Sequence, residues 1–162
     1  MSDVLSLPPP SARGIRLPEG ADVRDAVRTA VATGRVRVGE EAFRQIEARG
    51  LPKGDPLAVA QVAGVLGAKQ TSRLLPLCQD VLLRGVDVNL ELDPADFAVV
   101  IRAYVKTQGP TGVEMEALTA VTVAALTVYD MCKTAARTIE ITDIRLVAKT
   151  GGQSGDYLRS SR

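Results

Sequence analysis

Residues 117–129 form a run of thirteen positions without a charge, with Glu116 before it and Asp130 after it. A helix on the surface of a globular protein carries a polar stripe for water to meet; this run has none, so as a helix it must be covered on every side. A single small domain rarely offers that much cover. With a sheet on one side, the other side is expected against a second copy of the chain, and Ala117, Ala120, Ala124 and Ala125 are small enough for close helix contact. Glu116 and Asp130 stand fourteen positions apart, which is about 21 Å along a helix rising roughly 1.5 Å per residue. One copy cannot gather both ends into one small site, whereas a two-fold pair with antiparallel helices brings the start of one near the end of the other. The charged ends also have a plainer reading. Glu114 and Glu116 suit the start of any helix, and Asp130 and Lys133 have the spacing of an ordinary ion pair along one helix face.

At 162 residues the chain fits one compact domain with a real core. Lysine plus arginine, 20, nearly balances aspartate plus glutamate, 19, which argues against the broad basic surface that nucleic acid or a membrane requires. A phosphate-rich small molecule still fits, because a few local cations suffice. Cys78 and Cys132 form no CxxC pair, and the chain opens on "MSDVLSLPPP" rather than a basic stretch and an apolar core, so the cytoplasm is the expected location. There is no histidine. Its absence excludes a histidine triad and histidine-bound zinc, and leaves acid–base work to Lys, Asp, Glu, Tyr or Cys with shifted pKa values. Neither a metal nor a cofactor is expected.

Along the chain, residues 1–20 hold four prolines and little periodicity and read as a mobile arm; 21–157 read as the folded domain, and 158–162 as a tail. "GRVRV" at 34–38 alternates as a strand does, and "EEAFRQIEARG" at 40–50 is a short amphipathic helix. Asp55 followed by Pro56 marks a helix start. That second helix is apolar around most of its circumference, with Gly64 and Gly67 permitting close approach, and is expected deep in the core. Residues 85–92 and 97–107 alternate as a hairpin about "DPAD", and 139–149 form a last strand after the long helix. The order strand, helices, strand, strand, helix, strand is the split βαβ plan of an α+β, ferredoxin-like fold, with helices packed on one face of an antiparallel sheet.

Several side chains are candidates with competing readings. Lys53 precedes a helix start, where a cation can meet an anion held there, but exposed lysines near caps are common. Lys69 closes the same helix, where a cation suits the dipole. Cys78, in "LLPLCQD", is more often a small buried residue than a nucleophile. "KTGGQSG" at 149–155 has glycines and a hydroxyl for a phosphate turn but lacks the Gly-Lys-Ser/Thr ending of a P-loop, so a mobile loop is the expected state.

The blocks "KGDPLAVAQVAG", "GAKQT", "LLPLC", "TGVEMEALTAVTVAALTVYDMCK" and "RLVAKTGGQSGD" together resemble the MoaC family of cyclic pyranopterin monophosphate synthases, over about residues 26–157. The resemblance implies a lyase of molybdenum cofactor biosynthesis. It would take the cyclised guanosine-derived triphosphate (3',8-cyclo-7,8-dihydroguanosine 5'-triphosphate), rearrange it to the cyclic pyranopterin monophosphate and release pyrophosphate. It also implies a homohexamer, a trimer of dimers with sites at the dimer contacts. By position, Lys53, Asp130 and Lys133 match the family's catalytic residues. Glu114 and Glu116 match site carboxylates; Leu77, Cys78 and Gln79, with Met115 and Glu116, match substrate-contacting stretches. Arg28, Lys69 and Lys149 align with basic positions that meet phosphates. Three positions depart from the family pattern: Gln79 replaces a histidine, Asp80 a proline and Gln153 a lysine. These changes motivate an alternative, a non-catalytic MoaC-like paralogue that binds a ligand or regulates.

Overall fold

The computed structural model describes residues 26–160. The arm expected over 1–20 lies outside the described residues. The elements in chain order are β1 (Ala26–Arg37), α1 (Glu40–Glu47), α2 (Pro56–Lys69), α3 (Thr71–Leu74), β2 (Leu83–Asp93), β3 (Ala98–Gly109), α4 (Glu114–Cys132), β4 (Glu140–Thr150) and β5 (Tyr157–Leu158). The five strands form one sheet in the order β2-β3-β1-β4-β5, antiparallel throughout. This is the ferredoxin-like α+β arrangement the sequence implied, with β1 central and paired on both sides.

Alternation in the strands sets the buried face. Ala30, Ala32 and Val36 of β1 and Ile101, Ala103 and Val105 of β3 are fully buried, and the face opposite carries Arg35, Arg102 and Lys106 at the intervening positions. The β2–β3 turn is fixed by charge and by an aromatic pair. Arg35 reaches Asp93 at 2.7 Å and Asp96 at 3.1 Å, Arg37 reaches Asp96 at 2.8 Å, and Phe97 meets Phe43 of α1 edge to face at 5.6 Å.

Asp55 caps α2 as expected, its Oδ1 accepting from the Leu57 N–H at 2.9 Å with Pro56 in the first turn. From there α2 runs antiparallel along α4. Glycines make the approach possible: a Cβ at Gly64 would lie 3.1 Å from the Ala120 carbonyl oxygen, and one at Gly67 only 2.9 Å from the Val123 Cβ. One face of the uncharged stretch of α4 is covered within the chain, by the sheet and by α2, with Ala117, Ala120, Val121, Ala124, Ala125 and Val128 fully buried, whereas Leu126 and Tyr129 on the other face remain 55% and 37% exposed. By length and composition α4 could cross a membrane; here it packs against the sheet and α2.

One expectation changes: α2 is not deep in the core, since its outward row of Val59, Val62 and Leu66 is 46%, 61% and 54% exposed. Its glycines let it supply part of the cover that α4 needs, and the remaining side of α4, with Leu126 and Tyr129, stays open in the single chain. Replacing Gly67 with valine is expected to destabilise the protein by about 1–3 kcal/mol through overpacking against Val123, more than the roughly 1 kcal/mol a non-glycine residue gains in helix propensity. Urea denaturation measures the difference.

Candidate functional site

Because α2 and α4 lie antiparallel, side chains from distant parts of the sequence meet at each end of the pair. At the end where α4 finishes, Asp130 stands between two lysines. Its Oδ2 accepts from Lys53 Nζ at 2.7 Å and its Oδ1 from Lys133 Nζ at 2.7 Å. Lys133 is the i, i+3 partner on the same helix, but Lys53 comes from 77 positions away. The cluster is thus more than a local helix pair. Hydrogen bonds first from Lys133 and then from Lys53 pull the Asp130 carboxyl down to about 2, and Asp130 in turn raises Lys133. All three groups are about half exposed, so the trio holds two cations open to solvent with their orientation fixed.

At the other end, where α4 begins, lies a cavity of about 190 Å³ lined by Leu77, Cys78, Gln79, Val81, Thr111, Gly112, Glu114, Met115 and Glu116. The first turn of α4 has no side-chain cap. Its two carboxylates sit in different surroundings. Glu114 pairs with Lys149 at 3.1 Å. Glu116 is only 5% exposed, and burial, reinforced by the nearby Glu114 charge, raises its pKa. Cys78 is half-buried beside it, and burial first, then the Glu116 charge, raises the thiol as well.

Arg28 borders the same end from β1. It is 6% exposed, its Nε donates to the Gly109 carbonyl at 2.8 Å, and its Nη2 has no hydrogen-bond partner among the described residues. A buried guanidinium donor left without an acceptor costs about 1–3 kcal/mol or more. The 151–155 loop lies directly on it. A Cβ at Gly152 would come within 3.1 Å of Arg28 Nη1, and one at Gly151 within 2.7 Å of the Val27 carbonyl oxygen, at positive φ in both cases. The loop is tied down, with the Gly151 N–H donating to Asp156 and Lys149 Nζ to Ser154 Oγ. Lys69 ends α2 at this same end of the helix pair, exposed and outside the cavity lining. Among the described residues no three His, Cys, Asp or Glu side chains converge as metal ligands.

All the expected site residues therefore fall into two groups, one at each end of the α2–α4 pair, and within one chain the structure does not bring the groups together. Thr111, whose hydroxyl donates to Gln79 Oε1 at 3.2 Å, and Val81 were not foreseen. Their place next to the "LLPLCQD" and "GVEME" blocks is the only signal the sequence held.

The fold and these groups define a ferredoxin-like α+β protein with two polar clusters, one a carboxylate between two cations, the other a cavity edged by carboxylates and a buried guanidinium. The chain belongs to the MoaC family, whose model matches residues 21–152. It is 49% identical over 162 residues to the cyclic pyranopterin monophosphate synthase of Salinibacter ruber, covering 99% of this chain and 95% of the relative. It is 51% identical over 146 residues to the enzyme of the same name from Heliobacterium modesticaldum, covering 90% and 92%. Over 136 residues it is 53% identical to human molybdenum cofactor biosynthesis protein 1, covering 84% of this chain and 21% of that protein.

The pKa displacement at Asp130 has a definite sign. Its folded value, about 2, lies below the ordinary 3.8, so the stability it contributes is present above that ordinary value and is lost as pH falls through the folded one. Carboxyl NMR titration of Lys133→Ala and Lys53→Ala should show the Asp130 midpoint rising towards 3.8 in both, further in Lys133→Ala.

Proposed function

We propose that this chain is a cyclic pyranopterin monophosphate synthase of molybdenum cofactor biosynthesis, a lyase acting on the cyclised guanosine-derived triphosphate with release of pyrophosphate. The observation that carries this reading is Asp130 gripped by Lys53 and Lys133, in a chain about half identical to proteins named for that activity. Closing the cyclic phosphate requires a sugar hydroxyl oxygen to bond to the α-phosphorus while the bond from that phosphorus to the pyrophosphate oxygen breaks, the hydroxyl proton passing to solvent. Negative charge then develops on the leaving group, and two fixed cations stabilise it. Lys133, held protonated by Asp130, acts as a cation and proton donor rather than a base. Asp130, with its pKa near 2, orients the lysines and is too weak a base to carry protons at neutral pH.

The cavity at the start of α4 receives the purine-derived end, with Glu116 and Glu114 and the 77–79 stretch around it. Arg28, with a buried donor still unsatisfied, and Lys149 are suited to phosphate oxygens. Lys69 is a more distant cation on the same side. One chain holds these two groups at opposite ends of a helix pair, so the complete site needs two copies. The outward apolar row of α2, Val59, Val62 and Leu66, supports a two-fold contact, since crossing two copies there sets the Lys53 end of one beside the Glu116 end of the other. The assembly we infer is a hexamer built as three such dimers, working in the cytoplasm. No relative named here supports the non-catalytic alternative.

Supplying the cyclised triphosphate and measuring pyrophosphate and pterin product tests the activity; a well-folded oligomer without turnover would reject it. Lys53→Ala and Glu116→Ala should each lower turnover by about 100-fold or more. Co-expressing the two variants should restore about a quarter of the wild-type rate, because random two-fold pairing leaves one intact composite site in half of the dimers. Wild-type turnover with no such recovery rejects the shared site and leaves the activity standing.

A further inference from the structure

The stretch 75–82 crosses from α3 to β2 without helix or strand, yet it supplies Leu77, Cys78, Gln79 and Val81 to the cavity wall. A wall made of irregular chain is only as well placed as its tethers. Thr107 Oγ1 donates to the Leu82 carbonyl at 2.7 Å and holds the far end. Thr111 holds Gln79, and the Cys78 N–H closes a turn on the Leu75 carbonyl at 3.0 Å. At the near end Ser72 Oγ donates to Asp80 Oδ1 at 2.6 Å, within the short range expected of a hydroxyl on a carboxylate.

Ser72 is well placed to serve as an anchor. Its neighbour Thr71 is buried, and the Thr71 hydroxyl bonds the Gly67 and Ala68 carbonyls in the last turn of α2. The Ser72–Asp80 bond therefore ties the wall to the helix that packs on α4, the same helix that carries Glu116 into the cavity. That bond acts alongside the turn, Thr111 and Thr107, and is the tether that reaches back to α3.

We propose that Ser72 and Asp80 are positioning residues for substrate: their hydrogen bond is a clasp that holds Leu77, Cys78 and Gln79 in register with Glu116, so that the cavity is formed before the ligand arrives. Neither residue lines the cavity, and both act through the residues between them. The kinetic part of this inference rests on the synthase reading above. The geometric part does not.

Two readouts separate the parts. Alkylation of folded protein by iodoacetamide reports on Cys78, because Cys132 is fully buried and its thiol is raised to about 11. Ser72→Ala and Asp80→Ala should speed Cys78 alkylation and raise KM for the cyclised triphosphate, each by about three- to tenfold, the scale of one lost hydrogen bond. Ser72→Thr, which keeps the hydroxyl, should behave as wild type. The melting temperature should stay within about 2 °C and kcat within about twofold, since neither global packing nor the Lys53–Asp130–Lys133 cluster changes. Unchanged alkylation overturns the clasp, as does faster alkylation with an unchanged KM in an enzyme that turns over. If wild type itself shows no turnover, the synthase reading falls and alkylation alone decides the clasp.

Discussion

The close seam between α2 and α4 is the constraint on which the rest of the structure depends. Glycine at positions 64 and 67 lets the two backbones approach until a Cβ would meet Ala120 or Val123, and that proximity covers a helix with no polar stripe of its own. It also fixes direction. Running antiparallel, the pair gathers the segment before α2 with the end of α4, and the segment after α2 with its beginning. Both polar clusters are by-products of one packing decision in the core.

The two ends treat charge in opposite ways. At Asp130 each charge has a partner and lies open to solvent, with the carboxyl pulled down to about 2 and Lys133 raised, so the cluster serves as a fixed electrostatic element. At the other end burial is uneven: among the described residues Glu116 is withdrawn from water without a cation on it, while Arg28 is withdrawn with a donor unanswered. Groups in that condition gain most from a ligand that supplies the missing counterpart, because the desolvation has already taken place on folding. Pairing Glu114 with Lys149 keeps the adjacent carboxylate from adding a second uncompensated charge.

Much of the fold was legible because the relevant signals are local. Asp55–Pro56 announces α2 through cap chemistry, alternation in 85–92 announces β2, and Gly64 and Gly67 announce a close neighbour. What was missed is non-local. The first eight residues of β1, "AVRTAVAT", carry no clear alternation; they are a strand because β3 and β4 pair on either side. β5, two residues long, exists only by pairing with β4. The candidate residues came from motif blocks, and their division between the two ends of α4 was foreshadowed only by helix length. Asp80 looked like a lost proline; its bond to Ser72 came from a turn of chain that no pattern describes.

The central position of β1 bears on how the protein is made. Thr29 pairs with Lys106 on one side and with Thr150 on the other, so β1, the first strand among the described residues, meets its second neighbour only after a further 121 positions have been made. Ribosomes add about 5–20 residues per second, so the nascent strand spends several seconds with unpaired backbone on that edge. Closure over so great a sequence distance also slows the search for the native state. Until then that edge of β1 offers unpaired backbone groups that a foreign strand could take.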